Sequence, residues 1–492
     1  MTETHSSPER EADVVRKVPT GLWVGGQTCP ATGGATLEVH DPSTGEVLAE
    51  VADAGPDDAL RALDAAVAAQ DAWAATAPRE RGEILRRAYE LTIQQADELA
   101  LLMTLEMGKP LADAHAEVVY AAEFLRWFSE EAVRVSGRWS TSPEGDTRML
   151  TMKRPVGPTL MITPWNFPLA MGTRKVGPAV AAGCTMVIKP AAQTPLSMLA
   201  LAAILHEAGL PDGVLNVVTT SRSSEVMSPL VCNDRLRKLT FTGSTPVGRR
   251  LVEQSARQLL RVSMELGGNA PFLVMADADL DNAVRGALLA KMRNMGEACT
   301  AANRFLVHES VAREFAARMT ARMSALRVGR GTEPGVDVGP LVDETSRDKV
   351  SGMVQDARDR GATLLTGGEQ LGERGWFYAP TVLTDVPAEA TVLKDEVFGP
   401  VAPICTFTST EEAVALANGT PYGLVAYAYT KDLSTALRLS EQLDTGMVGI
   451  NRGAVSNAAA PFGGVKHSGF GREGGVEGIE EYLETRYVSI QA

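Results

Sequence analysis

Cysteine is scarce in this chain: five among 492 residues, at Cys29, Cys184, Cys232, Cys299 and Cys405. The number is odd and no two stand at metal-ligand spacing, which excludes a disulfide scaffold and leaves no resident metal to expect. Aromatic residues make up only 5% of the chain. Long apolar runs are missing too. No stretch approaches the roughly 20 apolar residues of a membrane span, and the first twenty residues, with Glu3, Glu9, Glu11 and Asp13, lack the apolar segment of a secretion signal. A cytoplasmic chain that meets no membrane, with a polar and frayed N-terminal arm, is the expectation. Positive charge is in deficit: 47 Lys and Arg against 61 Asp and Glu leave a formal net charge of -14, so no nucleic-acid partner is expected. Internal repeats and low-complexity segments are absent.

What is present is ordinary for a globular chain, with 45% hydrophobic and 22% charged residues. The length implies more than one core, because single cores stop growing at roughly 250–300 residues. Residues 37–51 read as two short strands around a Pro/Gly turn, and residues 57–73, 79–108 and 114–135 as amphipathic helices. Residues 138–154 predict a hairpin turning at 143–146. From Gly157 onward strands and helices alternate: strands at 159–162, 185–189, 215–218 and 237–241, helices at 173–182 and 196–207. That alternation predicts a parallel sheet with crossover helices and a ligand at the carboxyl ends of its strands. A second α/β unit follows, with helices at 281–293 and 311–326 and strands near Val274, Phe305, Thr363, Thr391, Val401 and Met447.

Three groups suited to one chemistry are scattered along this pattern. Cys299 follows Gly296 at a junction between a helix-like and a strand-like run, where a reactive side chain can meet a ligand. Glu265 precedes two glycines, and Asn166 sits in the turn Thr163-Pro-Trp-Asn-Phe-Pro168. A nucleophile, a base and an oxyanion donor are therefore available. Read alone, the cysteine is an ordinary small buried hydrophobe.

Together with Lys189-Pro190, the stretch Phe241 to Gly248, and Glu396-Val-Phe398-Gly-Pro400, these segments resemble the aldehyde dehydrogenase superfamily, from about Leu37 to the end. Motifs matching together in the right order are specific where each alone is weak. The resemblance is greatest to succinate-semialdehyde dehydrogenases of the NADP type, through residues 162–171, 173–175 and 461–472. It implies an α/β fold of two Rossmann-like parallel-sheet domains: a discontinuous dinucleotide-binding domain (1–137 and 155–267), a catalytic domain (268–465), and an oligomerisation element made of the hairpin 138–154 and the C-terminal stretch 478–492. A homodimer or homotetramer follows from that element.

The resemblance also implies the chemistry. Cys299 attacks an aldehyde to form a thiohemiacetal, Asn166 and the Cys299 N–H hold the oxyanion, hydride loss leaves a thioester, and Glu265 activates the water that releases the acid. Glu473 takes a minor part in proton relay, with a plain salt bridge as its bland alternative. Thr163, Trp165, Lys189, Ala192, Gly243, Ser244, Gly248, Glu396 and Phe398 fall at cofactor positions, although the glycines of 243–248 do not form the G-x-G-x-x-G pattern. The family commonly carries a glutamate where this chain has Ala192. With Lys189 nearby, its absence removes a repulsion toward a 2′-phosphate, so NADP is expected to be accepted and preferred, with NAD as the alternative. Arg174, Arg293 and Ser456 match residues that take the distal carboxylate of succinate semialdehyde. Ala301 replaces a second cysteine found in several relatives, so no disulfide switch is expected beside Cys299.

Three other readings stay open on the sequence. The arginines fix a charge and not a chain length, which admits a broader ω-carboxylate or aliphatic aldehyde dehydrogenase, such as one for glutarate semialdehyde. The same fold also admits a non-catalytic structural or binding protein. A cofactor-free cysteine hydrolase is the third, disfavoured by the lack of a histidine pairing motif.

Overall fold

The computed structural model describes residues 7–491. Its first large sheet runs, in spatial order, Gln27–Cys29, Leu22–Val24, Leu215–Val217, Met186–Lys189, Thr159–Ile162, Lys238–Thr242, Arg261–Glu265 and Gly469–Phe470. The five strands from Leu215–Val217 to Arg261–Glu265 are parallel, and the remaining pairings are antiparallel. Strands such as Met186–Lys189 and Lys238–Thr242 are buried along their whole length, which is why they read as unbroken apolar runs and not as alternations. Helices Pro78–Gln94, Leu111–Glu131, Ala170–Ala182 and Leu196–Glu207 pack into one core, and Pro56–Ala75 and Ser223–Val231 into another. From Thr159–Ile162 the chain winds outward one way to Leu215–Val217, then returns to Lys238–Thr242 on the other side. The order of the strands reverses between Thr159–Ile162 and Lys238–Thr242, and a cavity lined by Pro164 and Thr242 opens at their carboxyl ends.

A second sheet runs Thr363–Thr366, Thr381–Thr384, Val401–Phe407, Ala302–His308, Ala270–Val274, Val425–Tyr429 and Met447–Ile450, parallel except for its first pair. Four residues separate Glu265 at the end of one sheet from Ala270 at the start of the other. A third, smaller sheet pairs Leu483–Gln491 with Thr147–Pro155 in one uninterrupted antiparallel register and adds Arg138–Thr141 outside it. Trp139 and Tyr487 stand 62% and 58% exposed on this sheet. No helix among the described residues is long and apolar enough to cross a membrane.

Two expectations are corrected here. The frayed arm is a helix over Pro8–Arg16: Ser7 Oγ accepts from the Arg10 N–H, Pro8 starts the helix, and acidic residues fill its first turn. Lys17–Glu98 (2.8 Å) and Glu11–Arg330 (2.8 Å) ion pairs fasten it to the body; residues 1–6 of that arm lie outside the described residues. The strand expected near Thr391 is the short helix Thr391–Lys394, and the strand lies earlier at Thr381–Thr384. Thr-Val-Leu is strand-like in composition, but the Thr391 N–H and hydroxyl are both taken by Asp356, which starts a helical turn there.

Gly108 ends the helix Ala96–Met107 in the left-handed region, φ 92, where a side chain is strained, and a Cβ there would press into the rings of Pro340 and Pro42. Gly108→Ala should cost about 2 kcal/mol, read as a lower urea-unfolding midpoint; an unchanged midpoint would show the turn to be free of strain.

Candidate active site

Two glycines set the geometry. Leaving the first sheet at Glu265, the chain passes Gly267 and Gly268. A Cβ on Gly267 would collide with the Glu396 carboxylate, and one on Gly268 with the Cys299 carbonyl. The Gly268 N–H donates to Glu396 Oε1 (3.2 Å). The absence of side chains at this crossing lets Glu265, Glu396 and Cys299 meet around one cavity of about 240 Å³, which Asn166, Ser244 and Phe398 also line.

Cys299 lies on the turn between the short 3-10 helix Arg293–Gly296 and the strand Ala302–His308. Before it, Asn294 and Met295 are buried in the left-handed region (φ 54 and 57), a conformation non-glycine residues hold only when surroundings enforce it. Enforcement comes from the Asp113 carboxylate on the Asn294 N–H (3.0 Å) and from the Asn294 amide, which donates to the carbonyls of Asn166 and Glu297 at 2.9 Å each. The turn itself is closed by Tyr427, whose hydroxyl donates to the Thr300 carbonyl (2.9 Å).

The Asn166 amide donates to the same Glu297 carbonyl (2.9 Å). A carbonyl only accepts, so this contact orients the amide and leaves its second N–H free. Asn166 is positioned from behind by Lys109, which donates to its carbonyl (2.9 Å) and pairs with Glu117 at 2.5 Å, both side chains fully buried. Glu117 in turn accepts the N–H groups of Leu169 and Ala170 (3.1 Å each) at the start of the helix Ala170–Ala182.

Neither carboxylate oxygen of Glu265 has a hydrogen-bond partner, and both are buried. Burial and the charge of Glu473 hold its pKa well above the usual carboxylate range. Burial likewise pushes the Cys299 thiol up to about 12, against the pull of Arg174. Glu473 goes the other way: burial would raise it, but Lys175 and Arg174 together hold it low. It pairs with Lys175 Nζ (2.5 Å) and Arg174 Nη2 (2.7 Å). The bland alternative for Glu473, a salt bridge, is therefore present in the structure.

Arg174 is buried against the rings of Phe462 and Phe124 (3.9 and 5.7 Å), and its ion pair leaves Nε and Nη2 without a well-directed hydrogen bond. Arg293 is half-buried between Tyr120 (5.4 Å) and Phe167 (5.0 Å), and among the described residues it joins no salt bridge. Ser456 lines a separate cavity of about 420 Å³ together with Tyr120, and not the cavity of Cys299.

Thr163, Lys189, Gly243 and Ser244 lie at or just past strand ends of the first sheet, and Glu396 and Phe398 come from the loop before the strand Val401–Phe407 of the second. Thr163 and Thr242 each bury a hydroxyl without a partner. Lys189 ends its strand nine-tenths buried; no carboxylate acts on its ammonium, and burial pulls it down to about 8. Ala192 stands three residues on, half-buried. Gly243 and Ser244 line the main cavity. Glu396 is driven up to about 7 by burial. Phe398, at a left-handed φ of 55, meets Trp165 edge to face at 5.3 Å. Unmatched hydroxyls, an unmatched cation and a carboxylate along a strand-end crevice fit the phosphates and riboses of a dinucleotide. Gly248 is different. It sits under Leu266, whose methyls a Cβ would strike, so it serves close packing of the helix Thr245–Ser255.

Sequence reasoning missed Lys109, Glu117, Asn294 and Glu297. It also missed Lys349, which donates to the Glu396 carbonyl (2.8 Å) from the helix Glu344–Asp359. One signal was available: Glu117 is a carboxylate on the apolar face of the helix Leu111–Glu131.

Two Rossmann-like sheets meeting at a cysteine, a buried carboxylate and a carboxamide define a thiol-dependent dehydrogenase class. Residues 29–488 match the aldehyde dehydrogenase family, and the chain belongs to it. It is 60% identical over 444 residues to the succinate-semialdehyde dehydrogenase of Paenarthrobacter nicotinovorans, covering 90% of this chain and 99% of that one. It is 49% identical over 468 residues to the glutarate-semialdehyde dehydrogenase of Pseudomonas putida, covering 95% and 97%. The crystal structure of an E. coli NADP dependent enzyme superposes with a TM-score of 0.95 at 48% identity, covering 96% of this chain and 98% of that one.

A thiol raised this far is almost wholly protonated at neutral pH. Alkylation of Cys299 by iodoacetamide, followed on its peptide by mass spectrometry, should be slow at pH 7 and climb about tenfold per pH unit through pH 9. A rate already flat by pH 8 would place the thiol far lower than its burial implies.

Proposed function

We propose that this protein oxidises succinate semialdehyde to succinate with NADP or NAD, NADP preferred. The observation that carries the reading is the convergence of Cys299, Asn166 and an unpartnered, buried Glu265 on one cavity, with the unpaired Arg293 close by. The relatives support the aldehyde, and Lys189 beside Ala192 supports the 2′-phosphate.

In this reading Cys299 Sγ attacks the aldehyde carbon as its proton passes to water in the cavity. The carbonyl oxygen becomes an oxyanion, facing the free Asn166 N–H and the Cys299 backbone N–H. Thr163, Trp165, Lys189, Gly243, Ser244, Glu396 and Phe398 hold the dinucleotide, which when bound supplies the hydride acceptor. The thioester left on Cys299 is then cleaved by a water that loses its proton to Glu265. Acceptance is favoured by the raised pKa of Glu265, since a buried carboxylate gains when it becomes neutral. Glu473, clamped by Arg174 and Lys175, tunes Glu265 through its charge and has a minor share in relay. Arg293, Arg174 and Ser456 take the distal carboxylate.

Residues 1–137 and 155–267 make the dinucleotide-binding domain and 268–465 the catalytic domain. The exposed third sheet, from 138–154 and 478–492, supports a homodimer or homotetramer, and the five scattered cysteines support a cytoplasmic setting. Glutarate semialdehyde is the second reading, favoured by the equally charged pocket and the Pseudomonas putida relative.

Initial rates of reduced-nicotinamide formation test this. Succinate semialdehyde should turn over with NADP, and Cys299→Ala should abolish the signal. Faster turnover of glutarate semialdehyde would promote the second reading, and equal rates with uncharged aldehydes would remove the arginines from the substrate. Ala192→Glu should raise KM for NADP by about tenfold through like-charge repulsion while leaving NAD turnover in place; an unaltered NADP KM would sever Ala192 from cofactor choice.

A further inference from the structure

Tyr120 lies on the helix Leu111–Glu131, one turn after Glu117 and one turn before Phe124, which contacts Arg174. Its ring carries the Arg293 guanidinium at 5.4 Å and meets Phe124 edge to face at 5.0 Å. Its phenol is among the groups that act on the charge of Arg174. It shares the wall of the 420 Å³ cavity with Ser456. Tyr120 thus touches Arg293 directly, shares a wall with Ser456, and reaches Arg174 through Phe124. Yet its own hydroxyl is buried and has no hydrogen-bond partner. A buried phenol normally finds one, since an unmatched polar group in the interior forfeits its hydrogen bonds to water. An orphaned donor on the ring that carries Arg293, in a wall shared with Ser456, calls for an anionic acceptor.

We propose that the Tyr120 hydroxyl donates a hydrogen bond to the distal carboxylate of the substrate, and that its ring, by carrying Arg293, fixes where that carboxylate sits. The inference rests on the semialdehyde reading above. It adds a neutral donor that measures distance to a recognition otherwise made of charge. A guanidinium on a flexible stem follows a carboxylate over a range of positions, whereas a phenol on a helix is rigid and reaches one. Tyr120 therefore discriminates chain length, which the arginines do not.

The test compares wild type, Tyr120→Phe and Arg293→Gln on succinate semialdehyde and on butanal, its uncharged analogue. Tyr120→Phe keeps the ring under Arg293 and removes one oxygen. KM for succinate semialdehyde should rise on the order of tenfold with kcat little changed, butanal kinetics should stay as they were, and the preference over glutarate semialdehyde should shrink. Succinate, as an inhibitor of butanal oxidation, should weaken by a similar factor, an independent reading of the same contact. If Arg293→Gln raises the semialdehyde KM selectively and Tyr120→Phe does not, the semialdehyde reading stands and the Tyr120 assignment is overturned. Equal losses on both aldehydes in Tyr120→Phe would make the residue mere packing and overturn it as well. If neither variant separates charged from uncharged aldehyde, the charged-substrate reading itself fails and takes this inference with it.

Discussion

The site depends on one buried ion pair. Lys109 and Glu117 are both fully inaccessible, and each is matched on more than one side: Lys109 by the Asn166 carbonyl, Glu117 by two backbone N–H groups. A charge pair taken this far out of water is tolerated only when its remaining hydrogen-bonding capacity is used. Meeting that demand ties together the helix Leu111–Glu131, the start of the helix Ala170–Ala182 and the turn bearing Asn166. The same Asn166 carbonyl then receives Asn294, and Asn294 and Asn166 share the Glu297 carbonyl, two residues before the nucleophile. A continuous run of hydrogen bonds thus leads from the ion pair to the Asn166 amide and to the strained turn ahead of Cys299.

Burial acts on Glu265, Glu473 and Lys189, and the outcome differs with what each group meets. Glu265 meets nothing and is raised; Glu473 meets two cations and is lowered; Lys189 meets no charge and falls to about 8. Two carboxylates in one pocket are thereby driven apart in acidity by their neighbours alone, which is how a site obtains a proton acceptor and a fixed charge from the same functional group.

Legibility in the sequence followed distance along the chain. The helices and strands of the first sheet were readable because a fully buried parallel strand leaves a compact apolar run, and Leu196–Glu207, apolar on nearly every side, is too long and too rich in Leu and Ala to be one of those strands. Cys299, Glu265 and Asn166 were readable because each is embedded in its own short motif. The residues that hold them were not. Lys109 reaches Asn166 across 57 positions and Asn166 reaches Glu297 across 131, and no local pattern announces such partners. The edge strands Leu22–Val24 and Gly469–Phe470 are too short to carry a period, and the helix Pro8–Arg16 was hidden by its polar composition despite a serine cap and a first-turn proline. Arg174 was legible only as a match to a carboxylate-binding arginine; the fold adds its pairing with Glu473.

The strand Gly469–Phe470 closes the edge of the first sheet beside Arg261–Glu265, after the chain has already built the second sheet. During synthesis the amino-terminal half therefore leaves the ribosome with the outer side of the strand that ends in Glu265 unpaired, and it stays so until nearly the whole polypeptide has been made. An open strand edge invites pairing with other chains. The carboxyl-terminal residues thus act as a late fastener, and truncation near residue 468 would leave a nascent chain with an adhesive edge beside its future catalytic base.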